Sequence, residues 1–331
     1  MKNIAIFIGT RPELIKCLPL IESSDIYIQI LIEQHSDLLS ESYNNTKNII
    51  KVKEFGKDRL NNIISSILHS DIFEQKWDAV LVQGDTVVAF AAALTAFNKG
   101  IPVIHLEAGL RTYDNQNPWP EEGYRKMIDS ITTIALCPSK VSSENLVREG
   151  FSGKIEIVGN TSIDAIHSYN LNSVLGKKVI ITLHRRENWS KIKDFFIAIE
   201  QLANQNPSLE FILPIHPNPI IKDLKYIFKK VKVIDPIPHK EICVLLAECN
   251  CIISDSGGIQ EEASYLGKRV FCCRKVTERV EIKDTYLTFT STPEELLSLF
   301  CEQKILLPRS YVYGEGKSLL KINEILNSNK I

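Results

Sequence analysis

No apolar run in this 331-residue chain approaches the length needed to span a bilayer, and the opening MKNIAIFI is shorter than a signal-peptide core and has no cleavage site behind it. The expectation is a cytoplasmic protein with no membrane partner. Nor is there a surplus of charge of either sign: 39 Lys and Arg stand against 40 Asp and Glu, a formal net charge of −1. Such a balance exerts no general pull on nucleic acid or anionic lipid, so no nucleic-acid partner is expected and any bound anion must be held by local groups. The cysteines, Cys17, Cys137, Cys243, Cys249, Cys251, Cys272, Cys273 and Cys301, include no CxxC pair and no histidine at zinc-finger spacing. That pattern points to reduced, mostly buried thiols and to no metal site. Two nucleotide signatures are also missing. Without GxGxxG there is no dinucleotide fingerprint, and without GxxxxGK[ST] no P-loop.

What is there reads as a two-domain globular protein. A chain of 331 residues exceeds the usual span of one core, so two domains of about 150 residues each are expected. Hydrophobic content of 44% and charged content of 24% are those of an ordinary folded chain rather than a disordered one. Short apolar runs alternate with amphipathic stretches, the pattern of βα units around parallel sheets. In the first half these runs are IAIFIG, IYIQILI, AVLVQG, IPVIHLE, TIALCP and IEIVGN; in the second, KVIITLH, EFILPIH, VKVIDP, CIISDS and RVFCC. No Gly/Ser linker divides the halves, and the break is expected near residues 164 to 176, beside the polar HSYNLNSVLGKK. The fold class expected is α/β, with two Rossmann-like halves facing across a cleft.

In open parallel sheets ligands bind beyond the carboxyl ends of the strands. The polar clusters of this chain lie at such ends: GTRPE, QGDT and EAGLR in the first half, HRREN, HPNP and SDSGG in the second. In GTRPE, Thr10 and Glu13 have capping-box spacing and Pro12 suits a first helical turn. Arg11 and Lys16 are not explained that way, because cations near a helix start oppose its dipole unless an anion binds there. SDSGGIQEEA reads as a strand turning through Ser256, Gly257 and Gly258 into a helix, whose free N–H groups suit a phosphate. Glu261 or Glu262 in that helix could accept hydrogen bonds from both hydroxyls of a ribose, and phosphate plus ribose imply a nucleotide. Asp85, Glu107, Glu121 and Glu122 come from the first half, His184 and His216 from the second. Carboxylates gathered at strand ends suit acid and base work. Each could instead cap a helix or pair with Arg111 or Arg125, and Glu121 with Arg125 one turn on could be only a surface pair.

GTRPE, QGDT, HLEAGLRT, PWPEEGYR, VGNTSIDA, HRREN, HPNP, SDSGGIQEEA and TERVE follow one another in an order that resembles the non-hydrolysing UDP-N-acetylglucosamine 2-epimerases, from the first strand to YGEGK near residue 316. The resemblance implies a glycosyltransferase-B-like fold. Residues 1–168 would form a Rossmann-like domain on the sugar side, 169–310 a UDP-binding one, and 311–331 a helix returning to the first domain. The implied reaction removes the hydrogen on sugar carbon 2, eliminates UDP in the anti sense to a 2-acetamidoglucal, then returns the proton on the opposite face and re-adds UDP. The resemblance implies a product used in surface-polysaccharide or glycan precursor synthesis. A UDP-sugar partner, a homodimer, and no metal or other cofactor are implied as well.

Carried over by motif, Arg11, His184, Ser256, Gly257, Gly258 and Glu262 hold UDP, with His216 of HPNP and Arg279 of TERVE on the same side. Asp85, Glu107 and Glu121 match the acid/base candidates, with Lys16, Arg125 and His184 beside them; the proton acceptor stays open, with Asp85 and Glu107 ahead of Glu121. The chain is shorter than the family's usual length, and TERVE lacks a proline. His239 and Ile242 stand where the family commonly has an aromatic pair. A second, regulatory UDP-sugar site in many bacterial members uses a Gln-His-Arg stretch. Here Gln34 and His35 are followed by Ser36 and Asp37, while Arg185 and Glu187 from its other side remain, so weakened or absent activation by substrate is expected. Alternatives are a hydrolysing 2-epimerase releasing N-acetylmannosamine, an epimerase of a 6-deoxy or uronate UDP-sugar, and a glycosyltransferase of the same fold.

Overall fold

The computed structural model describes residues 2–33, 48–216 and 218–328. The chain divides into two compact units, one of Met1–Ala165 with Gly314–Ile331, the other of Ile166–Tyr313. In the first unit the strands are β1 (Ile4–Ile8), β2 (Tyr27–Glu33), β3 (Ile49–Lys51), β4 (Ala79–Gln83), β5 (Val103–Leu106), β6 (Ile134–Cys137) and β7 (Lys154–Ile157). They pair in the order β3-β2-β1-β4-β5-β6-β7, all parallel. The second unit holds β8 (Lys178–Thr182), β9 (Glu210–Pro214), β10 (Lys232–Ile234), β11 (Cys249–Ser254), β12 (Arg269–Cys272) and β13 (Leu287–Phe289). These pair in the order β10-β9-β8-β11-β12-β13, again all parallel.

Strand β1 shows why these runs are unbroken rather than alternating. Ala5 and Phe7 enter a core with Val80, Val82, Val88 and Ala92, whereas Ile4, Ile6 and Ile8 enter another with Leu81, Ile104, Leu14 and Cys17. Helices cover both faces, so every residue of the strand is apolar and buried. The helix Ser318–Ser328 completes the second of these cores with Ile322 and Leu326, both fully buried. Polar ties fix it: Lys2 Nζ donates to the Leu326 carbonyl at 2.6 Å, Tyr27 Oη to Asn323 Oδ1 at 2.6 Å, and the Leu319 N–H to Asp164 Oδ1 at 2.9 Å. Burying a side chain such as Leu326 contributes about 1.5–3 kcal/mol.

Each sheet has one place where the winding reverses, between β1 and β4 in the first unit and between β8 and β11 in the second. Connections leaving such a pair run to opposite faces and open a crevice at the strands' carboxyl ends. GTRPE and QGDT follow β1 and β4; HRREN and SDSGG follow β8 and β11. Two strands were not foreseen in the sequence, β3 and β13. Each is three residues long, lies at a sheet edge and is only partly buried, so neither needs the apolar run that marks a central strand. The described cysteines form no disulfide; all are buried except Cys301. Among the described residues no helix is long and apolar enough to cross a membrane.

Candidate active site

At the first unit's reversal point, Thr10 caps the helix Arg11–Ser23 in a complete capping box with Glu13. Glu13 Oε2 accepts from the Gly9 and Thr10 N–H groups at 2.8 and 2.6 Å, and Oε1 accepts from the Thr86 hydroxyl, which joins the turns after β1 and β4. Arg11 opens this helix, half-buried. Lys16, one turn further on, reaches Glu107 Oε2 at 2.6 Å. Glu107 follows β5 in the left-handed backbone region, φ 72°, and also accepts from Gln83 Nε2 and from Asn160 Nδ2, the latter at 3.1 Å. Asp85 lies one residue beyond Gly84, and its Oδ2 is 2.5 Å from Arg125 Nη2. The side chain of Asp85 keeps 26% exposure against 6% for Glu107, so the two carboxylates differ in access to a ligand.

Arg125 is buried, so its pairing is not at the surface: besides Asp85 it donates to Glu122 Oε2 at 2.9 Å. Glu122 also accepts from the Thr112 and Tyr113 N–H groups at 3.0 and 2.9 Å, which makes it a brace for the loop ahead of the helix Glu121–Ser130. Glu121, half-buried, begins that helix. His105 ties the turn bearing Asp85 to the sheet, with Nε2 2.8 Å from the Gly84 carbonyl and Nδ1 2.6 Å from Asp129. Arg111 holds Asp129 at 2.7 Å and Glu149 at 2.6 Å, a structural network. Gln83, Asn160 and His105 were not foreseen as site residues. Their position at strand ends within QGDT, VGNTSIDA and HLEAGLRT was the available signal.

In the second unit Ser256 caps the helix Gly257–Tyr265 by accepting from the Ile259 N–H at 3.5 Å. The first-turn amides of a helix have no partner within it. Arg279 stands beside them: a Cβ built on Gly257 would lie 2.6 Å from Arg279 Nη1, so the glycine lets the guanidinium close on the helix start. Dipole and cation there favour the same thing, an anion. Arg279 donates to Glu261 at 2.8 Å and pairs with Glu278. Glu262, the next carboxylate on the helix, has a different partner. Its Oε1 faces His239 Nε2 at 3.0 Å, while Oε2 is buried with no hydrogen-bond partner.

Asp255, fully buried, accepts from the His184 and Arg185 N–H groups at 3.1 and 2.9 Å and from Asn188 Nδ2 at 2.9 Å, which fastens the turn after β8 to that after β11. Desolvation, seconded by Arg185, holds the His184 imidazole below its ordinary range, with Asp255 opposing. The His184 and His216 rings stack 5.4 Å apart, 7° from parallel, and His216 Nδ1 accepts from the Asn218 N–H at 3.1 Å.

The profile of the UDP-N-acetylglucosamine 2-epimerase family matches residues 34–327. The chain belongs to this family, a family of isomerases. It is 37% identical over 317 residues to the UDP-N-acetylglucosamine 2-epimerase of Neisseria meningitidis serogroup A, covering 85% of this chain and 84% of the relative. Against the Escherichia coli K12 enzyme of the same name the identity is 32% over 377 residues, with both chains fully covered. A crystal structure of a Neisseria meningitidis UDP-GlcNAc 2-epimerase bound to UDP-GlcNAc superposes with a TM-score of 0.89 at 32% identity, covering 99% of this chain and all of the other. The Methanocaldococcus jannaschii enzyme in complex with UDP-GlcNAc and UDP gives 0.84 at 28%, with coverage of 99% and 100%. These neighbours agree with the two parallel-sheet α/β units and the glycosyltransferase-B-like fold expected from the sequence.

Of the regulatory set, Gln34 and His35 lie outside the described residues. Arg185 is held through its backbone N–H by Asp255, and Glu187 accepts from Arg274 Nε at 3.0 Å. Arg274 in turn reaches Glu278 at 3.1 Å, so Glu187, Arg274, Glu278 and Arg279 form a chain of ion pairs that ends at the Gly257 turn.

Proposed function

We propose that the chain interconverts UDP-N-acetylglucosamine and UDP-N-acetylmannosamine. The observation that carries this reading is the pair of cation-bound carboxylates, Asp85 with Arg125 and Glu107 with Lys16, at adjacent strand ends. Inverting a carbon centre requires one group to take a proton from one face and another to return it on the opposite face. Asp85 and Glu107 are assigned these two duties, with Glu121 beside them. Asp85, the more exposed, meets the substrate first. Lys16 and Arg125 position the carboxylates and offset charge as it moves through the transition state.

Loss of the carbon 2 proton is coupled to anti elimination of UDP, giving the 2-acetamidoglucal. Arg11, Arg279 and the amides after Ser256 receive the diphosphate, which is stabilisation of charge that develops only as the bond breaks. His184 and His216 complete the nucleotide side, and the Glu262 carboxylate accepts from the ribose. The intermediate is retained, so UDP re-adds and no free sugar is released. No metal or cofactor enters this sequence of steps. The chain is assigned a homodimeric, cytoplasmic role in precursor supply for surface polysaccharide, and light scattering checks the dimer.

The deciding experiment is incubation with UDP-N-acetylglucosamine in deuterated water, followed by proton NMR. Deuterium at carbon 2 of both epimers, with no free N-acetylmannosamine, is expected. Free sugar would overturn the non-hydrolysing assignment. Absence of exchange alongside sugar transfer to an acceptor would favour a glycosyltransferase, and exchange confined to 6-deoxy or uronate UDP-sugars would reassign the substrate.

A further inference from the structure

Two ionisable side chains of the second unit that this chemistry does not use, His239 and Cys243, gather around one that it does, Glu262. His239 and Cys243 lie one turn apart on the helix His239–Glu248, and Glu262 of the helix Gly257–Tyr265 meets them. His239 Nε2 is 3.0 Å from Glu262 Oε1 and 3.5 Å from Cys243 Sγ, and one ligand atom from each of the three lies within 4.8 Å of the others. Cys243 and Glu262 are buried, His239 is partly exposed, and Glu262 Oε2 is the buried oxygen with no partner. Of the two positions where the family commonly has an aromatic pair, His239 and Ile242, the first therefore supplies a ligand atom.

We propose that His239, Cys243 and Glu262 bind a soft divalent cation of the zinc type, and that the bound ion competes with nucleotide at Glu262. Geometry and donor chemistry agree on this. With zinc at about 2.0–2.1 Å from nitrogen, 2.0–2.2 Å from oxygen and 2.3 Å from sulfur, the two observed separations subtend roughly 95° and 105° at the metal. Three such ligands leave a fourth, open position of a tetrahedron. A thiolate and an imidazole with a single carboxylate favour zinc over magnesium or calcium, which take all-oxygen sets.

Binding exchanges a proton for the ion. The Cys243 S–H bond breaks and its proton goes to solvent, leaving the thiolate pair to the metal. A neutral His239 keeps its proton but moves it, by way of solvent, from Nε2 to Nδ1, where the Tyr169 hydroxyl oxygen lies 3.5 Å away and can accept it. Glu262 then spends one or both oxygens on the ion instead of on a ribose. The competition rests on the ribose assignment made above; the metal site itself does not.

The test uses the full chain without substrate. Calorimetric titration with zinc chloride should give one ion per chain, and cobalt(II) should give a thiolate-to-cobalt charge-transfer band in the near ultraviolet. Cys243→Ser and His239→Gln, each checked for native circular dichroism, should abolish the band and weaken zinc binding by more than the roughly 10- to 100-fold that loss of a residue merely supporting a ligand costs. No binding, or binding and a band unchanged in both variants, overturns the site. Saturating zinc should also weaken UDP binding at least about tenfold in the wild-type chain and leave Cys243→Ser unaffected. Should the band appear while UDP affinity stays constant, the site stands, and the competition fails together with the ribose role of Glu262.

Discussion

Gly258→Ala separates the stability of the second unit from its grip on a nucleotide. A methyl built at Gly258 meets no protein atom within 4 Å, and the residue lies in the first turn of a helix at an ordinary φ. Alanine therefore costs nothing in packing, and its higher helix propensity is worth up to about 1 kcal/mol. For a unit of this size that raises the melting temperature by at most roughly 2–4 °C. If a phosphate docks on the first-turn amides, the same methyl stands where its oxygens belong. Displacing one charge-assisted hydrogen bond costs about 1.5–3 kcal/mol, equivalent to a loss in UDP affinity of about 10- to 150-fold. Calorimetry with UDP and a thermal melt on the same sample measure both quantities. A variant that melts at or above the wild-type temperature and binds UDP as tightly would refute the placing of the diphosphate at this turn. Gly257→Ala is a poor substitute, because its methyl would collide with Arg279 and the two causes could not be separated.

Glu107→Gln removes the charge opposite Lys16 and should lower deuterium exchange at carbon 2 by about 10²–10⁴-fold with UDP affinity unchanged; isotope incorporation and calorimetry check it. Burial raises the Glu13 carboxyl above its ordinary 4.5, against the hydrogen bonds from Thr86, Gly9 and Thr10. A folded-state value above the unfolded one gives stability that is full below 4.5 and is lost as pH rises through the raised value. The melting temperature of the wild type relative to Glu13→Gln, recorded across that range, should accordingly fall as pH increases. Leu326→Ala should destabilise the first unit by about 2–5 kcal/mol, read from urea unfolding, while leaving UDP binding by the second unit intact. Finally, with Gln34 and His35 followed by Ser36 and Asp37 rather than by the arginine of the regulatory stretch, rate against UDP-N-acetylglucosamine should be hyperbolic. Sigmoidal kinetics, or stimulation of the reverse reaction by added UDP-N-acetylglucosamine, would count against that expectation.

Most of the architecture was legible in the sequence because parallel strands buried on both faces read as unbroken apolar runs; β1 is the clearest instance. The edge strands β3 and β13 were not, since a strand with one neighbour needs little hydrophobicity. At the site, each charged residue could be placed at a strand end, but not matched with its partner. Lys16 and Glu107 are 91 positions apart, and their meeting follows from β1 lying beside β4 and β4 beside β5. Uncharged helpers such as Gln83 and Asn160 were missed because an amide at a strand end carries no signal distinguishing it from a cap. In the sequence His239 reads only as a missing aromatic ring. Its contact with Cys243 needs a helix, and its contact with Glu262 needs a second one packed against the first.

The pairing of Met1–Ala165 with Gly314–Ile331 has a bearing on biosynthesis. The lobe whose translation starts first is finished last, because Ile4, Ile6 and Ile8 on one face of β1 await Ile322 and Leu326, and these emerge only after the entire inserted lobe. The inserted lobe can mature as an uninterrupted segment while its host still exposes greasy surface on the ribosome. Nascent chains halted shortly before residue 318 should for that reason be the species that chaperones hold longest.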